Sequence, residues 1–97
     1  MPIVMNMEWD GVTTAQYEKI RQVVDFETQV PKGALLHIAA LTPAGLRVTD
    51  VWDSAENFNR FVETRLMPGV KEAGIQGQPK VQIEPVHNLY TPAFKRL

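Results

Sequence analysis

The chain has 97 residues and a mass of 10.9 kDa, which leaves room for one domain with a modest core. Its 44% hydrophobic and 22% charged residues exclude wholesale disorder, and its net charge of −1 provides no basic surface for nucleic acid or an anionic membrane. Because it has no cysteine, disulfides, thiolate metal sites and thiol nucleophiles are excluded.

The N-terminal part of the chain predicts a strand followed by a helix. Residues 3–9 alternate between an apolar and a more polar set, as a strand with two unlike faces does. The apolar set is Ile3, Met5, Met7 and Trp9. Thr13 fits the N-cap of a helix, and Gln16 completes a capping box. Apolar residues at helical spacing extend this helix to about Glu27.

Two strands joined by a tight turn are predicted next, over residues 34–42 and 45–52. Pro43 and Gly45 are turn residues, so a hairpin is the simplest connection. Counting outward from the turn pairs His37 with Asp50 and Leu35 with Trp52, and paired residues share a sheet face. That face carries Leu35, His37, Ala39, Leu41, Leu46, Val48, Asp50 and Trp52.

A second helix and a fourth strand complete the chain. Asp53 or Ser54 caps the helix, whose apolar stripe is Phe58, Phe61, Val62 and Leu66. Residues 67–69, Met-Pro-Gly, predict a kink or break before a short continuation to about Ala73. Residues 80–86 alternate again as a strand, and the tail from residue 87 is predicted to be extended.

The order strand, helix, strand, strand, helix, strand predicts one α+β domain over residues 1–97. Right-handed crossovers give a ferredoxin-like βαββαβ fold, in which an antiparallel sheet carries both helices on one face. We expect the face with Leu35, Val48 and Trp52 to be the uncovered one, and it is too apolar for permanent exposure. A second copy of the sheet is the simplest cover, which predicts a homodimer.

Residues 46–61, LRVTDVWDSAENFNRF, resemble the dimeric α/β-barrel superfamily, and in particular its antibiotic-biosynthesis-monooxygenase-like branch. In that branch the third strand commonly ends in an acid, one residue, an aromatic and a capped helix, matched here by Asp50, Trp52 and Asp53-Ser54. The resemblance implies a dimeric barrel with a pocket in each subunit. It also implies a cofactor-independent monooxygenase that oxidises polyaromatic or polyketide-like phenols with O₂.

His37 and Asp50 are the candidate catalytic residues. In the counted register their Cβ atoms lie about 5 Å apart, on the face that also carries Trp52. A neighbouring carboxylate fixes the tautomer of an imidazole and strengthens it as a general base. Alternatively, the two side chains form a half-buried hydrogen-bonded pair inside the dimer interface that has no catalytic role, since pairs of this kind are common in proteins.

Asn6 and Trp52 are candidate substrate-binding residues that follow from the resemblance. They resemble an asparagine and a tryptophan of haem-degrading members of the superfamily. Those members also take a histidine from the second helix, and residues 54–73 contain none, so haem degradation is not expected. The alternative for Asn6 is a buried amide bonded to neighbouring backbone.

Arg65 and Glu84 are the remaining substrate-binding candidates. Arg65 lies within the apolar stripe of the second helix, where a guanidinium either steadies an anionic ligand such as an enolate or reaches the rim along an apolar stem. Glu84 either faces the cavity with Gln82 or is a solvated edge residue.

Two other kinds of function stay open. The same base could serve the isomerisation or aldol cyclisation of a polyketide-like chain, or the protein could be a non-catalytic ligand-binding or structural dimer. No GxGxxG or GxxxxGK[ST] loop, HExxH or GxSxG motif is present. We therefore expect no flavin, nicotinamide, haem or metal, and a small hydrophobic or aromatic ligand as the partner.

The cellular location is predicted from two absences. No apolar run approaches the roughly 18 residues of a membrane span. The N-terminus also lacks the charged start of a signal peptide. We therefore expect a soluble, cytoplasmic protein that binds neither membranes nor nucleic acid.

Overall fold

The computed structural model describes residues 1–94 and has the predicted order of elements. Its strands are β1 (Ile3–Asp10), β2 (Ala34–Thr42), β3 (Gly45–Trp52) and β4 (Lys80–Pro85). Its helices are α1 (Thr14–Val24), α2 (Ala55–Phe61) and α3 (Met67–Glu72), with a π-helical segment, Val62–Leu66, between the last two. The strands form an antiparallel sheet in the order β2-β3-β1-β4, which confirms the ferredoxin-like α+β fold.

The core lies between the sheet and the helices. Alternate residues of β1 are buried in it, which confirms the two unlike faces predicted for this strand. The helices contribute one apolar stripe each, as amphipathic helices on a sheet do. The main members of the core are Met5, Met7, Trp9, Tyr17, Ile20, Leu46, Val48, Trp52, Phe58, Phe61 and Val70. Within residues 1–94, no helix has the length and apolar character that crossing a bilayer requires.

Side chains cap the N-terminal end of α1, and the backbone N–H of Asp25 closes its C-terminal end by donating to the Arg21 carbonyl. The predicted capping box is confirmed, because Thr13 Oγ1 accepts from the Gln16 amide while Gln16 Oε1 accepts from the Thr13 amide. The helix ends at Val24, three residues before the predicted Glu27. Asp25 takes a left-handed conformation there, with φ of 55°, and its carboxylate accepts hydrogen bonds from the side chains that follow.

The β2–β3 hairpin has the predicted strand bounds. Thr42 Oγ1 accepts from the amides of Ala44 and Gly45, which closes the turn. A Cβ at residue 45 would lie 2.4 Å from the carbonyl oxygen of Trp9, so only glycine fits against β1 at this point.

The predicted hairpin register is confirmed from the turn through the His37–Asp50 pair to Leu36–Val51, and only the predicted Leu35–Trp52 pair is wrong. Ala34, not Leu35, pairs with Trp52, because the strand holds one extra residue between Ala34 and Leu36. Counting from a turn assumes an uninterrupted ladder, and this β-bulge interrupts it.

The second helical region is capped by Ser54, whose Oγ accepts from the Asn57 amide. The chain does not break at the predicted position: the π-helical segment Val62–Leu66 runs directly into α3, in which Pro68 is the second residue. Gly69 permits close packing of α3 on α1, since a Cβ there would lie 2.4 Å from Cγ2 of Val24.

The predicted assignment of the two sheet faces is wrong. Leu46, Val48 and Trp52 lie beneath the helices, and the rings of Phe58 and Phe61 pack 5.5 and 5.3 Å from that of Trp52. Both faces of the hairpin carry apolar residues, so alternation along a strand shows which residues share a face and not which face meets the helices. The uncovered face carries Val4, Asn6, Glu8, Leu36, Ile38, Ala40, Arg47, Thr49, Val51, Gln82 and Glu84.

Candidate functional site

A cavity of about 340 Å³ lies between the helix-bearing face of the sheet and the helices. Val30 and Leu35 line it and are solvent-exposed, so they belong to its rim. Its other walls are largely apolar and aromatic, from Met5, Met7, Trp9, Ile20, Phe26, Leu46, Val48, Trp52, Phe58, Phe61 and Leu66. The titratable side chains that line it are Tyr17, Glu27, His37 and Asp50.

His37 and Asp50 meet across the hairpin. They occupy paired positions of β2 and β3, and Nδ1 of His37 lies 2.6 Å from Oδ1 of Asp50. The Asp50 residue is 7% exposed, whereas about a third of the His37 side chain is exposed. The pairing predicted by counting from the turn is therefore present, and it lies in the cavity rather than on the uncovered face.

Both carboxylate oxygens of Asp50 are engaged. Oδ1 contacts His37, and Oδ2 accepts a hydrogen bond of 3.1 Å from the indole Nε1 of Trp52. An ionised carboxylate only accepts hydrogen bonds, so the proton in the His37 contact belongs to Nδ1. This assignment leaves a lone pair on Nε2 of His37, the form in which imidazole acts as a base.

Tyr17 is a site residue that was not among the candidates identified from the sequence. Its hydroxyl lies 2.7 Å from Nε2 of His37, and the two rings are nearly parallel, at 9° with centroids 6.2 Å apart. Burial raises the pKa of the Tyr17 hydroxyl to about 12. Helical spacing with Ile20 and Val24 indicates that Tyr17 faces the sheet, but no pattern in the sequence relates its hydroxyl to His37.

Phe26 and Glu27 also reach the cavity, because α1 ends early and the chain turns at Asp25. The Phe26 ring lies 5.0 Å from that of His37, at an interplanar angle of 60°. Glu27 accepts two hydrogen bonds of 2.8 Å from Arg21, which lower the pKa of the Glu27 carboxyl. The sequence reasoning missed both residues, since it extended the helix through them.

Asn6 and Glu84 are not brought to the cavity. Both lie on the uncovered face of the sheet, in β1 and β4. Asn6 Oδ1 accepts a hydrogen bond of 2.8 Å from Thr49 Oγ1 on the neighbouring strand. The amide of Asn6 is thus bonded to a side chain on an exposed face, rather than buried against backbone as the alternative reading expected.

Arg65 is also directed away from the cavity. Its guanidinium donates to the carbonyl oxygens of Val24, at 2.9 Å, and Asp25, at 3.5 Å. Its Cζ lies 5.5 Å from the centroid of the Phe61 ring. Arg65 therefore satisfies the terminal carbonyls of α1, which would otherwise lack a donor.

Four side chains form a continuous run of hydrogen bonds, from Tyr17 through His37 and Asp50 to Trp52. Such a run can accept a proton at His37 and hold the imidazolium beside a buried carboxylate. Among the residues described, no three His, Asp or Glu side chains come together as a metal ion would require.

No protein-family model and no curated protein matches the chain in sequence. Solved structures do match it. A protein of unknown function from Nitrosomonas europaea has a TM-score of 0.72 at 10% identity, over 96% of each chain. SnoaB, a cofactor-independent oxygenase from Streptomyces nogalater, has a TM-score of 0.64 at 12% identity, over 91% of this chain and 94% of its own.

A monooxygenase from the gene ActVA-Orf6 of Streptomyces coelicolor, solved in complex with the ligand Nanaomycin D, is similar as well. Its TM-score is 0.61 at 13% identity, over 95% of this chain and 92% of its own. The chain therefore has the fold of antibiotic-biosynthesis-monooxygenase-like proteins, and at these identities the likeness concerns the fold.

Proposed function

We propose that the chain is a homodimeric protein that binds a small aromatic molecule and acts as a cofactor-independent monooxygenase on polyaromatic or polyketide-like phenols. The observation that carries this proposal is the 2.6 Å contact between His37 Nδ1 and Asp50 Oδ1 in the wall of a largely apolar cavity. His37, assisted by Asp50, is the base, and Trp52 both holds Asp50 and forms part of the wall.

The cavity suits a neutral ring system. Its volume of about 340 Å³ lies at the lower end of the range for small-molecule sites, roughly 300–1,000 Å³. Trp52, Phe58 and Phe61 offer aromatic surface, against which a planar ligand packs well. Among the residues described, no lysine or arginine lines the cavity, so a ligand that enters with a carboxylate would find no cationic partner.

Removal of the hydroxyl proton prepares such a ligand for reaction with O₂. A phenolate gives up an electron to O₂ far more readily than the neutral phenol does, and the imidazolium that forms is balanced by Asp50. When a ring CH₂ of the keto tautomer becomes C=O, one oxygen atom enters the product, the other leaves as water, and the substrate supplies the electrons. SnoaB and the Streptomyces coelicolor monooxygenase support this proposal as oxygenases that share the fold.

The uncovered sheet face supports the homodimer. Its apolar residues lie side by side on paired positions, with Val4 and Leu36 on either side of the buried Val51, and the exposed Ile38 and Ala40 beside them. Ile38 is 52% exposed in the single chain, although it lies within this patch. A second copy would bury this patch against its own counterpart, as two-fold interfaces do.

Oxygen consumption in the presence of anthrone, a three-ring phenol in its enol form, tests the activity. We expect uptake by the wild-type protein and a loss of about 10²-fold or more in Asp50→Asn. Asp10→Asn is the matched control, because this carboxylate is 77% exposed and lies outside the cavity. Anthrone turnover without oxygen would instead favour an isomerase, and binding without turnover would favour a non-catalytic ligand-binding protein.

A further inference from the structure

The basic lone pair of His37 is already occupied by Tyr17. With the proton on Nδ1 held by Asp50, Nε2 is the nitrogen that remains to accept one. The Tyr17 hydroxyl lies 2.7 Å from Nε2, so this hydroxyl donates to it. A ligand hydroxyl could reach Nε2 only by displacing Tyr17.

Tyr17 is held firmly in this position. It is 9% exposed, and it lies in the first turns of α1, directly after the capping box of Thr13 and Gln16. Its ring is nearly parallel to the ring of His37, with the centroids 6.2 Å apart, and the Phe26 ring lies 5.0 Å from that of His37. Displacement of Tyr17 would require α1 to move away from the sheet, because the side chain packs in the core between the two.

The Tyr17 hydroxyl can serve the cavity without moving. A phenolic oxygen donates one hydrogen bond and accepts others. The single donation goes to His37, and the acceptor side remains for the cavity that Tyr17 lines. A ligand hydroxyl that donates to this oxygen extends the run of hydrogen bonds by one member.

We propose that Tyr17, rather than His37, is the group that takes the proton from a hydroxyl of the ligand. This inference rests on the proposed function. The ligand O–H bond breaks and its proton bonds to the Tyr17 oxygen, while the Tyr17 O–H bond breaks and its proton bonds to Nε2 of His37. Both electron pairs stay on oxygen. The step leaves a ligand oxyanion, neutral Tyr17, and a His37 imidazolium beside the Asp50 carboxylate.

The burial of Tyr17 agrees with this role. Because burial raises its pKa to about 12, tyrosinate is disfavoured as a resting state. Tyr17 therefore gives up its own proton as it receives that of the ligand, and the charge comes to rest on His37, where Asp50 stabilises it.

Para-nitrophenol is a suitable probe, since its phenolate absorbs at longer wavelength than the phenol. The full chain is titrated with the probe, and the ionised fraction of bound probe is read from the spectrum at several pH values. We expect the wild-type protein to lower the pKa of the bound probe. Tyr17→Phe should reduce its ionised fraction by about tenfold or more, with the His37–Asp50 pair still in place. Tyr90→Phe is the matched control, because Tyr90 is 77% exposed and lies outside the cavity.

The outcomes separate this inference from the proposed function. If Tyr17→Phe ionises the probe as well as the wild-type protein does, while His37→Gln does not, His37 takes the proton directly and the role of Tyr17 is overturned. If His37→Gln and the wild-type protein ionise the bound probe equally, the proposed base is wrong. If the wild-type protein does not bind the probe, the proposed binding of phenols is contradicted.

A second measurement tests the role of Tyr17 even if Tyr17→Phe fails to fold. The chain has two tyrosines, so fluorotyrosine incorporated into Tyr90→Phe labels Tyr17 alone and keeps its hydroxyl. We expect the fluorine NMR signal to shift when para-nitrophenol binds, and not when nitrobenzene, which lacks a hydroxyl, binds. Equal shifts of the fluorine signal with both probes, or no shift with either, would contradict a hydrogen bond between the ligand hydroxyl and Tyr17.

Discussion

The indole Nε1 of Trp52 donates to Oδ2 of Asp50 over 3.1 Å, from two positions further along the same strand. The bond is possible because residues two apart on a strand point to the same face. It leaves Oδ1 of Asp50 to His37 alone, at 2.6 Å. Trp52 therefore fixes the carboxylate that orients the proposed base.

Substitution of Trp52 separates its packing from its hydrogen bond. Trp52→Ala should lower the free energy of unfolding by about 3 kcal/mol or more, because a buried indole is lost. Trp52→Phe keeps an aromatic ring and leaves one buried Asp50 oxygen without its donor, which should cost about 1–3 kcal/mol. Urea unfolding gives both values, and a loss below about 0.5 kcal/mol for alanine would contradict the burial of Trp52.

Arg65→Met tests the guanidinium that caps α1. The methionine keeps apolar surface next to Phe61 but removes the donor to the Val24 carbonyl. We expect a loss of about 0.5–1.5 kcal/mol in the free energy of unfolding, with the affinity for para-nitrophenol unchanged. Arg60→Met is the control, since Arg60 is 57% exposed and pairs with the exposed Glu56 at 3.8 Å. Weaker probe binding in Arg65→Met alone would show that Arg65 acts on the ligand.

The stability of the protein should fall at alkaline pH through Tyr17. Because burial raises the pKa of folded Tyr17 from 10.0 to about 12, its contribution is complete below about pH 10 and is lost as pH rises towards 12. A shift of this size corresponds to about 2–3 kcal/mol, at 1.36 kcal/mol per unit. Urea unfolding of Tyr90→Phe across this range measures the loss. The double variant, which carries both Tyr90→Phe and Tyr17→Phe, should lose less free energy of unfolding over the same pH range. Equal losses in the two proteins would contradict the prediction.

Ile38→Asp tests the proposed dimer. Light scattering of the wild-type protein at micromolar concentration should give about twice the chain mass of 10.9 kDa. A carboxylate at the exposed Ile38 would be buried without a partner in the interface and should yield monomers. Val81→Asp is the control, because Val81 is 41% exposed and pairs with Met7 on the helix-bearing face. A monomeric wild-type protein would contradict the proposed homodimer.

The helices and strands of this fold could be predicted from the sequence, because their signals are local. The capping box of Thr13 and Gln16, the turn at Thr42 and Gly45, and the alternation of β1 each depend on neighbouring residues. The His37–Asp50 pair could be predicted as well, since the hairpin ladder runs without interruption from the turn to that pair.

The sheet face that meets the helices and the side chains that complete the site could not be predicted in this way, because both depend on the packing of distant elements. Alternation is symmetric between two apolar faces, so it could not show that Trp52 lies under Phe58 and Phe61. The Tyr17 hydroxyl reaches His37 from another layer of the fold, and Arg65 reaches Val24 across 41 residues of chain. Distances between elements depend on how whole layers pack, and neither spacing nor propensity along the chain encodes them.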